Sequence, residues 1–241
     1  MPETAENRRD HAVLRRELVS FTRRGGRLND RQQTAWNDVG DAYVLPVPTS
    51  GRSTSVDPNY KFDAEAAFGR RAPLIVEIGC GRGEVIAHAA EARPEVNFLG
   101  FEVYVPGVAQ TLIALRNRDI TTVRLAVVDA AEALATMLPA ASVEELWVNF
   151  PDPWHKKKHN KRRLVTPEFA ALAARVLRPG GTWRLSTDWA EYADQMDDVV
   201  SGSPDFDGGR SERWSGRPVT RFEAKGIAAG RAIHDLTAVR R

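Results

Sequence analysis

The run from Glu145 to Arg163, ELWVNFPDPWHKKKHNKRR, sets a carboxylate beside a block of cations. Leu146 to Phe150 read as a short buried strand, and the two prolines around Asp152 stop any further ladder, so the Asp152 side chain is presented at a strand's end. His155, Lys156, Lys157, Lys158, His159, Asn160, Lys161, Arg162 and Arg163 follow with no acidic residue among them. Four of the chain's six lysines fall in this loop, although arginine is its usual cation. Most charge runs are solvated faces. This one follows a strand end, where open α/β sheets hold ligands, and that position favours contact with phosphate.

A second set of residues starts at Glu77-Ile-Gly79-Cys-Gly81-Arg-Gly83. Glycines in a strand-to-helix turn let a ligand press on the backbone. Their GxGxG spacing departs from the GxGxxG of dinucleotide sites, and it points to S-adenosylmethionine, which has no pyrophosphate to seat. Glu77 is suited to orient that ligand's amino-acid tail. Glu102, at the end of the next strand, is suited to accept both ribose hydroxyls, and Asp129, closing the third, to accept from an adenine amino group. The glycine turn alone is weak, since many α/β proteins carry one. Acids at three successive strand ends are stronger, because each is an awkward strand residue without a ligand.

The elements that must position these groups alternate regularly. Strands are expected at 73–79, 96–103, 121–129, 143–150 and 182–188, and helices at 82–92, 106–118, 131–138, 167–177 and 189–200. The chain should finish as an antiparallel pair, 206–214 with 232–240, joined through a Thr220–Gly230 connection. This pattern predicts an α/β fold: a doubly wound, mostly parallel, seven-stranded sheet. Residues 1–60 are read as a basic arm and linker, and 61–241 as the folded domain. The arm carries Arg15, Arg16, Arg23, Arg24, Arg27 and Arg31, and either packs on its own domain or contacts RNA. Asn29, with Gln32 three residues on, is a helix-capping pair.

Net charge is only +2 over 241 residues, so any nucleic-acid role must come from local asymmetry. Cys80 is the single cysteine, which excludes an internal disulfide and a multi-cysteine zinc site. No metal is expected. The opening MPETAENRRDH lacks an apolar signal core and no long apolar run occurs, so a cytoplasmic protein with no membrane association is expected.

EIGCGRGE, GFEVY, VVDAAE, NFPDPWHKKKHNKRRLV, STDWAEYA and TRFEAKG occur in the order seen in the bacterial tRNA (guanine-N(7)-)-methyltransferases, the TrmB family, and the chain resembles that family from about Phe21 to Leu236. The PDPWHKKKHNKRR and TRFE blocks are specific to it, whereas EIGCGRG fits any class I methyltransferase. Cys80 departs from the apolar residue expected at its position. The resemblance implies that Glu77, Glu102, Asp129 and Asp152, with the turn of Gly79, Gly81 and Gly83, contact S-adenosylmethionine. It implies that Lys156, Asp188 and the run Thr220, Arg221, Phe222 and Glu223 hold the target guanosine. Lys158, His159, Asn160, Lys161, Arg162 and Arg163 would touch RNA. The partner would be tRNA, methylated at a variable-loop guanine, and the protein a monomer or homodimer.

The chemistry asks for little more. N7 of guanine carries an in-plane lone pair, so direct displacement needs no covalent intermediate, and Asp152 is the candidate catalytic carboxylate for the cation that develops. Some residues keep two readings: Asp188 as base ligand or helix N-cap, Glu223 as base ligand or surface partner of Arg221 or Lys225, Trp154 as stacking platform or packing residue. His155 and His159 are read as phosphate or water contacts before general bases. Two rival functions also stand: methylation of another RNA base or a small molecule, and non-catalytic RNA binding.

Overall fold

The computed structural model describes residues 26–241. Leu14 to Gly25 of the expected arm, with Arg15, Arg16, Phe21, Arg23 and Arg24, lie outside the described residues. The elements in order are α1 (Asp30–Tyr43), α2 (Ala64–Phe68), β1 (Leu74–Ile78), α3 (Glu84–Ala92), β2 (Asn97–Phe101), α4 (Val105–Asn117), β3 (Val123–Ala126) and α5 (Ala130–Glu132), which runs into a π-helical turn at Ala133–Met137. They continue with β4 (Val143–Asn149), a 3₁₀ turn at Lys157–Arg162, α6 (Pro167–Val176), β5 (Leu177–Thr187), α7 (Ala190–Ser201), β6 (Phe206–Ser211), α8 (Arg221–Ala228) and β7 (His234–Arg240).

The seven strands form one sheet in the order β3-β2-β1-β4-β5-β7-β6. β7 pairs antiparallel with both neighbours, and the remaining pairings are parallel. β1 and β2, LIVEI and NFLGF, are buried along their whole length, as strands covered on both faces must be. Chain order reverses between β1 and β4, and the crevice outside their carboxyl ends is where such sheets take ligands.

Asn29 caps α1 as its spacing predicts: its side chain accepts from the Gln32 N–H at 3.0 Å, and the Gln32 side chain accepts from the Asn29 N–H at 3.1 Å. α1 packs on the body, with Gln32 Nε2 donating to the Pro106 carbonyl at 3.0 Å and Asp38 pairing with Arg116 at 2.9 Å. Ala35, Tyr43 and Val56, from the stretch read as arm and linker, are buried in the cores.

Two local expectations are corrected. The Thr220–Gly230 connection is largely helix α8, opened by Thr220, whose hydroxyl accepts from the Glu223 N–H at 3.1 Å. The strand expected from Thr182 begins at Leu177, with Val143 paired to Leu177 and Glu145 to Thr182, so residues 178–181 bulge opposite Glu144.

Among the described residues no helix is long and apolar enough to cross a membrane, and no group of three or more His, Cys, Asp or Glu could hold a metal ion.

Candidate active site

Gly79, Gly81 and Gly83 carry φ of 70°, 57° and 74°, turning the chain from β1 into α3. The turn is pinned to β2: Gly79 N–H donates to the Phe101 carbonyl at 2.8 Å, and Gly81 N–H to Glu102 Oε2 at 2.8 Å. Glu102 Oε1 accepts from the Tyr104 N–H at 2.8 Å, so one carboxylate joins the glycine turn to the loop after β2. Burial raises the Glu102 pKa above the ordinary carboxylate value, with the backbone donors opposing. At Gly83 a Cβ would stand 2.5 Å from Thr111 Cγ2, so α3 and α4 approach as closely as they do only with glycine there.

Glu77 is 2% exposed. Its Oε1 accepts from Asn149 Nδ2 at 3.1 Å, and Asn149 Oδ1 accepts from the Ser186 hydroxyl at 2.9 Å. Its Oε2 is buried without a partner. Burial pushes the Glu77 carboxyl up to about 7, against the lowering effect of Asn149 and the Ile86 N–H. Asp129 caps α5, its Oδ1 accepting from the Ala131 and Glu132 N–H groups at 2.9 and 3.3 Å.

A cavity of about 300 Å³ opens over this turn, its walls including Gly79, Gly81, Glu102, Asn149, Asp152 and Phe222. Asp152 and Leu164 both line it, so the cationic loop at residues 153–163 leaves and rejoins the wall of one cavity. Within that loop Lys156, Lys157, Lys158 and Lys161 are exposed. The Arg162 guanidinium lies 5.0 Å over the Trp154 ring, and Trp154 meets His159 edge-on at 5.9 Å. His155 packs on Trp189 at 4.1 Å, and Asn160 donates to Glu191 at 3.2 Å. Burial, then the positive charge of Arg162 and the lysines, holds His159 below its ordinary pKa.

Arg163 corrects the expectation of an outward RNA contact. It is 3% exposed, donates to the Pro153 carbonyl and to Gln195 Oε1 at 2.9 Å each, and covers the Tyr192 ring at 4.9 Å. It anchors the loop to α7 while the lysines face out.

α8 closes the other side. Phe222 is half exposed, and its ring lies 5.4 Å from that of Phe150, with Phe150 also in the cavity wall. Glu223 is fully buried and bound by Arg213 and by Arg217, the latter at 2.8 Å, so the surface ion pair with Arg221 or Lys225 does not form. Arg221 turns to Glu84, its N–H donating to Oε2 at 3.0 Å and its Nε standing 3.5 Å from Oε1. Asp188 is not the N-cap of α7. That position is Trp189, and Asp188 Oδ2 accepts from Arg231 Nε at 2.7 Å. Lys156, Asp188, Thr220 and Glu223 are not among the residues that line the cavity with Asp152 and Phe222.

Asn149, Phe150, Tyr104 and Arg217 belong to the site without having been singled out in the sequence. Asn149 left a signal, a polar residue ending an apolar strand. Arg217 left none, because its partners are six and eighteen residues away.

Residues 71–236 match the family model Methyltransf_4, "Putative methyltransferase". Curated relatives named tRNA (guanine-N(7)-)-methyltransferase include that of Cutibacterium acnes (strain DSM 16379 / KPA171202), 50% identical over 93% of this chain and 83% of its own. That of Nocardioides sp. (strain ATCC BAA-499 / JS614) is 48% identical over 99% of this chain and 91% of its own. That of Arthrobacter sp. (strain FB24) is 53% identical over 87% of this chain, which spans 66% of that longer protein. Among solved structures, the 16S rRNA methyltransferase KamB superposes with a TM-score of 0.55 at 14% identity, covering 81% of this chain and 99% of that one, a likeness of fold alone. With both the glycine turn and the lysine loop inside the matched span, the chain belongs to the bacterial tRNA (guanine-N(7)-)-methyltransferase family.

Proposed function

We propose that this protein transfers a methyl group from S-adenosylmethionine to N7 of a variable-loop guanine in tRNA, by direct displacement without a covalent enzyme intermediate. The observation that carries this reading is the shared rim: Asp152 and Leu164, which bracket the lysine loop, line the same cavity as Gly79, Gly81 and Glu102. A polyanion held by the loop therefore has its bases beside the crevice.

The residues present fit the methyl donor. Glu77 keeps a buried carboxylate oxygen without a partner next to the glycine turn, and at Gly79 a Cβ would meet nothing within 4 Å, so the backbone borders open space. Glu77, Glu102 and Asp129 would hold the donor, with Asp152 beside them. S-adenosylmethionine supplies an electrophilic sulfonium methyl. The protein's part is alignment and charge. Asp152, in the cavity wall, stabilises the cation that forms on the purine. Phe150 and Phe222 offer ring faces to a base. Cys80 is unsuited to nucleophilic work, because burial, reinforced by Glu102 and Glu77, pushes its thiol well above the ordinary value.

The test is methylation of tRNA by the purified protein with S-adenosylmethionine, followed by nucleoside digestion and mass spectrometry. 7-Methylguanosine is expected. A different methylated base overturns the choice of target, and tRNA binding with no calorimetric response to S-adenosylmethionine overturns catalysis altogether.

A further inference from the structure

Arg217 is the most deeply buried cation near the site, its side chain 0% exposed. Its Nη1 donates to Glu223 Oε2 at 2.8 Å, and its Nη2 to both oxygens of Asp235 at 2.7 and 2.9 Å. Arg213 binds the other oxygen of Glu223 and donates to the Arg217 carbonyl at 2.7 Å. The Arg217 guanidinium carbon lies 5.3 Å over the Phe150 ring, and Phe222 packs on that ring at 5.4 Å. One side chain therefore touches α8, β7 and the turn after β4.

Buried ion networks return little net stability, because removing the charges from water offsets their attraction. What this one does is fix geometry. Phe150 is a non-glycine residue at φ 51°, a conformation that costs energy unless its surroundings enforce it, and it leads through Pro151 to Asp152. Phe222 stands on the first turn of α8, one residue before Glu223. We infer that Arg217 is a positioning residue for methyl transfer, holding the Phe150–Asp152 turn and the Phe222 wall in register across the cavity. Glu223 and Asp235 act through Arg217, as the acids that hold it in place. The inference rests on the proposed function.

The test uses the full chain with Arg217→Lys, which keeps the charge but cannot span two carboxylates and stack, with Phe150→Leu, which spares the ion network, and with the double variant. kcat and KM for tRNA are measured beside the dissociation constant for S-adenosylmethionine. Each single variant is expected to lose at least about tenfold in kcat/KM, because small misplacements near reacting groups are costly, while donor affinity is retained. The double variant is expected to be no worse than the poorer single, since both changes release the same turn. Wild-type kcat/KM in Arg217→Lys, losses that multiply in the double, or an equal loss of donor affinity each overturn the inference. If Arg217→Lys does not fold, Asp235→Asn decides, since it loosens Arg217 without altering the cavity wall: a fall in kcat at unchanged donor affinity supports positioning, and wild-type kinetics overturns it. A wild-type protein inactive on tRNA defeats the functional reading itself, a result distinct from any of these.

Discussion

Asn149 donates to Glu77 at 3.1 Å from the adjacent strand, so the carboxylate most deeply set beneath the glycine turn is oriented by the same strand that leads to Asp152. Burial raises that carboxyl from 4.5 to about 7. Between those values the folded protein keeps a proton that the unfolded chain has released. Stability from this group is therefore full at low pH, falls as pH rises through the window, and above it stands as a cost on the order of 3 kcal/mol. The ionised form is the one that pairs with the ammonium of the donor's amino-acid tail. Calorimetry from about pH 6 to about pH 8 should show S-adenosylmethionine affinity rising with pH. Glu77→Gln should bind weakly with no such slope, and a slope that survives the substitution assigns the pH dependence to another group.

Asp152→Asn keeps the shape of the cavity wall while removing its charge. Turnover should fall by about 10²-fold or more, the scale of losing one electrostatic group aimed at developing charge. tRNA affinity should be largely kept if, as proposed, the exposed lysines supply it. Single-turnover rates beside tRNA binding separate the two, and wild-type rates would remove Asp152 from the chemistry.

The cationic loop divides into an outward and an inward part that respond differently. Replacing Lys156, Lys157, Lys158 and Lys161 by alanine should weaken tRNA binding and flatten the plot of log affinity against log salt, by up to about 0.7–0.9 per lost phosphate contact. Arg163→Ala removes a buried guanidinium that bonds Pro153 and Gln195. It should cost about 2–4 kcal/mol of folding stability, seen in denaturant melts. The salt slope of the folded fraction should stay near that of the wild type.

This division marks how far the sequence could be read. The strand-and-glycine pattern exposed the sheet, because strands covered on both faces must be apolar runs and tight turns must be glycines. Glu77 and Glu102 were legible for the same reason, since they interrupt an apolar pattern, whereas Asp129, expected to close the third strand, lies beyond β3 and caps α5. Arg163 was not, since a charge in a basic run looks the same whether it faces water or a tyrosine ring. α8 was obscured by Gly226 and Gly230, although Thr220 with Glu223 three residues on carries the spacing of a capping pair. The pairing of Glu223 with Arg213 and Arg217, of Asp188 with Arg231, and of Arg217 with Asp235 follows from how α8 and β7 meet, which no local spacing encodes.

Gly83 joins the glycine turn to the packing of two helices, and substituting it carries a backbone cost and a steric one. Its φ of 74° disfavours any side chain, and a Cβ would stand 2.5 Å from Thr111 Cγ2 and 2.7 Å from Thr111 Oγ1. Gly83→Ala should therefore destabilise the protein by roughly 2–4 kcal/mol and weaken donor binding, because the strained turn carries the Gly81 N–H that Glu102 holds. Adding Thr111→Ala removes the two nearest atoms but keeps the Thr111 Cβ at 2.9 Å, so it should recover part of the steric cost and leave the remainder together with about 1–2 kcal/mol for the left-handed backbone. Chemical denaturation of the two single variants and the double gives the coupling between the sites. Full recovery in the double would show that contact with Thr111, and not the backbone conformation, is what requires glycine at this position.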